Sequence, residues 1–508
     1  MSILPQPDSL PALQGEITTL IRGLRHPVLV EGEIELMDLA AAEWRLNVEF
    51  GKLVFTAWNS ARSLSRRVED MAYRDGGRFG LFVRKPGARE TSTLEFRELD
   101  APVAVTRAGG RTAFRRQLLA MLESQYRGWK FEQLSNRSDR EHSFSAWYTR
   151  GLAAQGRTAW AFLGLADEEA TAARDNALAF GLIWLDWLRH HAPREAVTQL
   201  KLFLPPAAVS TIAHRAAYLD PRAAKVEIHQ WRPGQLSTAP VDLKDYGNVE
   251  THLAPRRETE LLEESHAGYL RETIGDLSAG LEILPDAAGT FSSLRIAGLE
   301  VGRIEGRIAP RIYFGLEGSF RRLTESSHED FQDFLAEVRR VRCATSPDPQ
   351  HEYYRLQGER WLESLLFRDI TRIDPALWPE FVYPQVPAFA AADRGVIDLL
   401  TVTRRGRLAV VELKVHEEIN LPLQGLDYWL RVNWLRQREQ FQAFGYFQGC
   451  ELAAAPPLLY LVSPAFRFHS TTQKLLAYFG RQIEVMLVGI NQTWRQEIKV
   501  LFRHALAV

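Results

Sequence analysis

Eight residues constrain this chain more than any others. Leu408-Ala-Val-Val-Glu412-Leu-Lys414-Val415 is a continuous apolar run broken only by an acid and a lysine two positions apart. Such a run reads as a strand buried on both faces, with little edge character, and period two puts Glu412 and Lys414 on one face of it. An unpartnered acid or amine inside such a strand is costly, so the fold must bring partners to both. The preceding segment, Arg394-Gly-Val-Ile-Asp398-Leu-Leu-Thr-Val402, followed by Arg404-Arg405-Gly406, reads as the first strand and turn of a hairpin. It brings a second carboxylate, Asp398, to the same place. Two carboxylates and a lysine can share a divalent metal and a phosphate: the carboxylates are hard oxygen ligands, and the lysine can steer a water and offset charge on the phosphate. The plain alternative is an ion pair between Glu412 and Lys414.

The flanking helices carry further polar groups. In Leu356-Gln-Gly-Glu359-Arg-Trp-Leu362-Glu363-Ser-Leu-Leu366, helical spacing puts Glu359 and Glu363 within the apolar face of Leu362, Leu366 and Ile370 rather than opposite it. Either glutamate could instead pair with Arg355 or Arg360. Downstream, Pro422 opens a helix with a stripe of Leu423, Leu426, Leu430, Trp434 and Phe441. Gln424, Tyr428 and Arg431 share its flank.

Together these residues resemble the active-site strand pair of the PD-(D/E)xK nuclease superfamily. Asp398 stands where that family has its Asp, and Glu412-Leu413-Lys414 matches (D/E)-x-K; Ile397 replaces the name-giving Pro. The Gln424-x-x-x-Tyr428 pair is similar to the RecB-like and lambda-exonuclease-like branch. The resemblance covers about residues 350–500. It implies an αβββαβ core with a magnesium or manganese ion held by Asp398, Glu412, the carbonyl of Leu413, and Glu363 with Glu359 in reserve. Lys414 would position the water, and Gln424 and Tyr428 would orient the strand or neighbouring groups. Leu458–Val462 and Ile483–Val488 are the remaining core strands. His416 and His469 are not read as ligands.

The remainder of the chain carries less chemistry. At 508 residues, with 62 basic and 63 acidic side chains, it is a multidomain protein without a global field that favours polyanions. Cys343 and Cys450 lack metal-site spacing. No leader or membrane-length apolar run is read in it, so a cytoplasmic location is expected. The expected architecture is α/β multidomain: a β-rich module over 1–106, an α/β domain over 107–235, a linker with a small α/β domain over 236–348, and the nuclease-like domain over 349–508. Within the first module, Val28–Leu36 reads as one strand, and Gly76-Gly77 and Pro86-Gly87 as turns. Leu294–Ile304 reads as a single strand further on.

Residues 101–160 hold ten Lys/Arg against four Asp/Glu, and Arg137 and Arg140, with Arg431, are the expected nucleic-acid contacts. This region also echoes the C-terminal domain. Gly156–Leu163 parallels Gly406–Leu413, Leu185–Arg189 parallels Leu426–Arg431, and Leu202–Pro205 parallels Leu461–Pro464. The middle domain therefore reads as a degenerate, inactive copy of the nuclease-like fold, with Phe162 and Gly164 in place of Glu412 and Lys414. The function expected is a metal-dependent nuclease acting on DNA ahead of RNA, in DNA processing or antiviral defence, with protein partners or self-association open. The alternative is a catalytically silent nuclease fold that binds nucleic acid or organises an assembly.

Overall fold

In the computed structural model, Leu408–Leu413 is buried along its whole length. It runs antiparallel to Val396–Thr403 on one side and parallel to Leu458–Pro464 on the other. A strand paired on both edges and covered on both faces must be apolar nearly throughout, as this one is. The structure describes residues 10–506 apart from 25–26, 32–33, 40–41, 50–51, 59–62, 76–77, 85–90, 99–106, 140, 168, 170, 192–195, 244–250, 287–288, 317–318, 388 and 391–394. The expected turns Gly76-Gly77 and Pro86-Gly87 lie outside the described residues. The chain is mixed α/β in two compact units, residues 1–250 with 390–394 and 473–480, and residues 251–389 with 395–472 and 481–508. No helix among the described residues is long and apolar enough to cross a membrane.

The first unit opens with helix α1 (Leu10–Gly23) and a seven-stranded antiparallel sheet, β1 to β7: Pro27–Glu31, Ile34–Asp38, Glu43–Glu49, Lys52–Trp58, Ser63–Asp75, Arg78–Arg84 and Thr91–Glu98. Leu13, Ile17 and Ile21, one turn apart on α1, join the sheet's buried face. Val28–Leu36 is therefore two strands of a hairpin, not one. After it come α2 (Arg107–Gln125), β8 (Lys130–Ser135), β9 (Tyr148–Gln155), β10 (Thr158–Leu165), α3 (Thr171–His191), β11 (Ala196–Leu204), α4 (Pro206–Ala216) and β12 (Lys225–Gln230). Their sheet has the order β12-β11-β10-β9-β8.

The second unit contains α5 (Arg256–Ile274), a five-stranded antiparallel sheet of β13 (Glu282–Pro285), β14 (Phe291–Ile296), β15 (Leu299–Glu305), β16 (Arg311–Phe314) and β17 (Arg321–Arg322), and α6 (His328–Val341). Leu294–Ile304 is thus a hairpin. Its turn is Ala297-Gly298, both at positive φ. Then follow α7 (Gly358–Arg368), β18 (Leu377–Pro387), β19 (Val396–Thr403), β20 (Leu408–Leu413), α8 (Leu421–Gln437), β21 (Leu458–Pro464), β22 (Glu484–Ile490) and β23 (Val500–Leu506). Their sheet has the order β18-β19-β20-β21-β22-β23. Gly406 closes the β19–β20 turn at φ 76, and a Cβ there would fall 2.0 Å from the Glu451 carbonyl oxygen, so only glycine fits. Helix α8 is buried on more sides than the expected stripe. Trp429, Val432 and Leu435 are inside with Leu423 and Leu426, and Phe441 belongs to a separate short helix.

The five-stranded β8–β12 sheet and the six-stranded β18–β23 sheet share one topology. In each, a helix leads into three antiparallel strands, a second helix crosses to a strand parallel to the third, and a further parallel strand follows. The packing matches in detail. Gly181 of α3 lies against Leu200 and Leu202 of β11, as Gly425 of α8 lies against Leu459 and Leu461 of β21.

Candidate functional site

The polar groups converge where β19 and β20 end beside α7. Glu363, on the inward face of α7, is 4% exposed, and Glu412 is 1% exposed. Asp398 Oδ2 accepts from the backbone N–H of Leu413 at 2.9 Å, which fixes this carboxylate across the hairpin from Glu412. Lys414 Nζ lies 3.1 Å from Glu412 Oε1 and 3.7 Å from Glu359 Oε2. Arg360 Nη1 donates to Glu363 Oε2 and, at 3.3 Å, to Asp398 Oδ1. Gln385 Nε2 donates to Glu363 Oε1 at 2.8 Å, and its own Oε1 accepts from Arg295 at 3.1 Å. Glu412 Oε2 is buried and has no hydrogen-bond partner among the described residues.

Burial pushes the Glu412 carboxyl well above the usual carboxylate range; Asp398 pushes the same way and Lys414 opposes both. Burial also raises Glu363, against the pull of Arg360. For Lys414, burial disfavours the charge, but Glu412, Glu359 and Asp398 outweigh it and its pKa rises. Arg360 is raised in the same manner by Glu363 and Asp398. Four carboxylates thus face Lys414 and Arg360, with Arg295 behind Glu363, and one desolvated carboxylate oxygen has no donor among the described residues. This donor set suits a hard divalent cation.

The three inner carboxylates do not close on one point. Among the described residues, the group of three acidic or histidine side chains whose ligand atoms all lie within 4.8 Å of one another is Asp139, Glu141 and His142, in the first unit. Glu363, Asp398 and Glu412 are spaced more widely, and the Arg360 guanidinium spans the gap between Glu363 and Asp398. Leu413 contributes its N–H to Asp398, while its side chain packs in the core on the α7 side.

On α8, Gln424 Nε2 donates to Tyr428 Oη at 3.3 Å. Tyr428 is 9% and Arg431 8% exposed. The Arg431 guanidinium lies against Gly395, where a Cβ would fall 1.7 Å from Nη1 and 3.1 Å from Tyr428 Cε1. Arg431 is therefore a largely buried residue set against the start of β19. Arg137 is exposed; Arg140 lies outside the described residues.

The shared topology corrects the register of the internal echo. Leu202 pairs with Leu163, as Leu461 pairs with Glu412. With Leu202 matched to Leu461 by packing, the counterpart of Glu412 is Leu163 and that of Lys414 is Leu165. Arg150, opposite Leu163, takes the place of Asp398. Phe162 faces the other side of its sheet, in a core with Phe114 and Leu118. Arg150 is buried against the rings of Phe144 and Trp184 and donates to the carbonyls of Arg137 and Ser145.

Arg360 was read from sequence only as an alternative partner of the helix glutamates, and Gln385, Arg295 and Gly395 were not singled out. The one local signal is at Gln385, which stands between Pro384 and Pro387 and adopts φ 49, a left-handed conformation rare for a side chain of its size.

No family model matches the chain, and no curated protein matches it. Among solved structures it is similar to an EndoMS complex with double-stranded DNA, with 9% identity, a TM-score of 0.17, and coverage of 45% of this chain and 96% of that one.

Proposed function

We propose that the chain is a metal-dependent nuclease of PD-(D/E)xK type, hydrolysing phosphodiester bonds in nucleic acid, DNA ahead of RNA. The observation that carries this reading is Glu412 Oε2: a carboxylate oxygen inside an apolar strand, without a donor, beside Asp398 and Lys414. Leaving it charged and so placed costs several kcal/mol unless a second cation or a proton joins it. Glu412, Asp398 and Glu363, with the Leu413 carbonyl, would hold a magnesium or manganese ion. The ion would make bound water more acidic and offset charge on the scissile phosphate. Lys414 keeps its proton and holds the attacking water in line. Water oxygen adds to phosphorus and gives up a proton to solvent, the bond to the leaving ester oxygen breaks, and that oxygen takes up a proton from solvent. Asp398 keeps its orientation through the Leu413 N–H, and Gln385 holds Glu363 from behind. Gln424 and Tyr428 line the α8 side of the cleft.

Residues 107–230 fit the reading of a copy without chemistry, since Arg150, Leu163 and Leu165 stand where Asp398, Glu412 and Lys414 stand in the other sheet.

One observation favours a second reading, a silent nuclease fold that only binds nucleic acid. Arg360 spans Glu363 and Asp398, and an arginine that stayed there would exclude the ion. Incubation with linear and circular, single- and double-stranded substrates, with magnesium and then with EDTA, separates the two. The first reading requires metal-dependent cleavage; its absence on every substrate leaves the second.

Two smaller predictions belong here. Lys414→Ala should slow cleavage by about 100- to 1,000-fold, the usual size for losing one preorganised charge at a reacting centre. It should leave substrate affinity measured in EDTA close to wild type; an unchanged single-turnover rate would remove Lys414 from the chemistry. Glu363→Gln should raise the magnesium concentration needed for half-maximal rate by roughly tenfold or more, whereas Glu359→Gln, half-exposed and on Lys414 only, should move it little. Equal, negligible shifts would make both glutamates structural.

A further inference from the structure

A cavity of about 690 Å³ lies in the second unit, beyond the end of β20. Its walls include Gln350, Glu352, Tyr354, Arg355, His416 and Arg495. It adjoins the candidate centre along two paths. His416 follows Lys414 by two residues, and Glu359, four residues after Arg355, pairs with Lys414. Between them Gly358 lies so close that a Cβ would fall 3.1 Å from Arg495 Nη2 and 3.0 Å from Val415.

The cations here make no ion pair among the described residues. Arg355 is exposed and makes no ion pair among the described residues, and Arg495 Nε is buried without a hydrogen-bond partner. Arg495 is stacked at 4.3 to 5.2 Å on the rings of Trp494, Tyr354 and Trp361. Stacking satisfies the faces of a guanidinium but not its in-plane N–H donors. Arg342 is near enough to raise the local positive potential further. The single carboxylate in the lining, Glu352, is exposed. Two guanidinium groups lining one cavity suit a tetrahedral oxyanion.

We propose that this cavity is a phosphate subsite, in which Arg355 and Arg495 hold a phosphate group of the nucleic-acid strand next to the bond being cut. The choice of nucleic acid as ligand rests on the nuclease reading above. The phosphate is either an internal diester or a strand end, and the chemistry of recognition is the same for both.

The test reads binding in EDTA, where cleavage is silent, by fluorescence anisotropy across a salt series. Arg355→Glu should weaken binding at low salt by about tenfold or more and flatten the salt slope by about 0.7 to 0.9, one phosphate contact. Glu352→Gln should tighten binding about two- to threefold, an opposite sign that a structural role for this exposed pair would not produce. Circular DNA and linear DNA with and without a 5′ phosphate are run in parallel. An Arg355 effect on circles assigns an internal diester, and an effect confined to phosphorylated ends assigns a terminus. Pyrophosphate is the independent probe, expected to raise the thermal midpoint of the wild type but not of Arg355→Glu. DNA cleavage by the wild type with binding unmoved by both variants would overturn the subsite and leave the nuclease reading intact. Pyrophosphate stabilisation lost in Arg355→Glu, without cleavage of any substrate, would keep the subsite and overturn the nuclease reading.

Discussion

Replacing Glu412 by Gln is expected to lower metal-dependent cleavage by at least about 1,000-fold, or roughly 4 kcal/mol of barrier, while the protein still folds and binds nucleic acid. Asp398→Asn should do the same. The amide keeps the shape of the side chain but cannot hold a divalent cation, and the gripping surfaces lie elsewhere. The same substitution has a second signature, in stability. Burial raises the folded-state pKa of Glu412 above its value in the unfolded chain. A carboxyl so shifted stabilises the fold below the unfolded value, near 4.3, and that contribution is lost as pH rises through the folded one. Without metal, then, Glu412→Gln should gain in thermal midpoint relative to wild type between pH 5 and pH 8. Adding magnesium at pH 8 should raise the wild-type midpoint and leave the Gln variant where it was. Undiminished cleavage by Glu412→Gln would remove this residue from the site. A magnesium shift that survives in the variant would place the ion elsewhere.

How much of this was legible in the sequence follows from what each residue costs. Glu412, Lys414 and Asp398 stood out because charges in an apolar hairpin demand partners, and Glu363 because a carboxylate lay on the apolar face of a helix. Arg360 looks, in sequence, like the surface partner of Glu363 three residues on. Only the approach of β19 makes it span two carboxylates. Gln385 has no charge and breaks no periodicity, so its role depends wholly on where β18 runs. Arg431 shared a polar helix flank, and the backbone of Gly395 is what encloses it. The internal repeat shows a different limit. Its order of elements was readable from a few identities, but the alignment placing Phe162 at Glu412 was one residue out. In a strand, one residue turns a side chain to the opposite face. Sequence echo alone could not see that Leu163, pairing with Leu202, is the true counterpart, because the packing of Gly181 and Gly425 is what sets the register.

The largest effect on stability is expected at a residue with no part in the chemistry, Arg342. It follows α6, is 2% exposed, and has no carboxylate partner among the described residues. Its guanidinium instead meets five backbone carbonyls: Nε donates to Ile296 and Ala297 at 3.2 and 3.0 Å, Nη1 to Tyr353 and Leu356 at 2.6 and 2.8 Å, and Nη2 to Gln357 at 3.3 Å. It also lies 4.7 Å over the ring of Trp361. Burial, helped by Arg495, pushes its pKa down to about 9. The acceptors belong to the β14–β15 turn and to the segment leading into α7, so one side chain ties the small sheet to the helix carrying Glu359 and Glu363. Arg342→Met fills much of the volume but takes the guanidinium donors from all five carbonyls, of which Gln357 keeps the Trp361 N–H. The expected loss is about 3–5 kcal/mol, read as a fall of roughly 10 °C in thermal midpoint. Arg342→Lys should recover little, because an ammonium has three donors and lacks the planar fork that reaches both segments. Cleavage by either variant should fall even below its own midpoint, since α7 then loses its anchor at Gln357. A wild-type midpoint in Arg342→Met would mean that water satisfies these carbonyls as well as the guanidinium does, and that the small sheet does not set the position of α7.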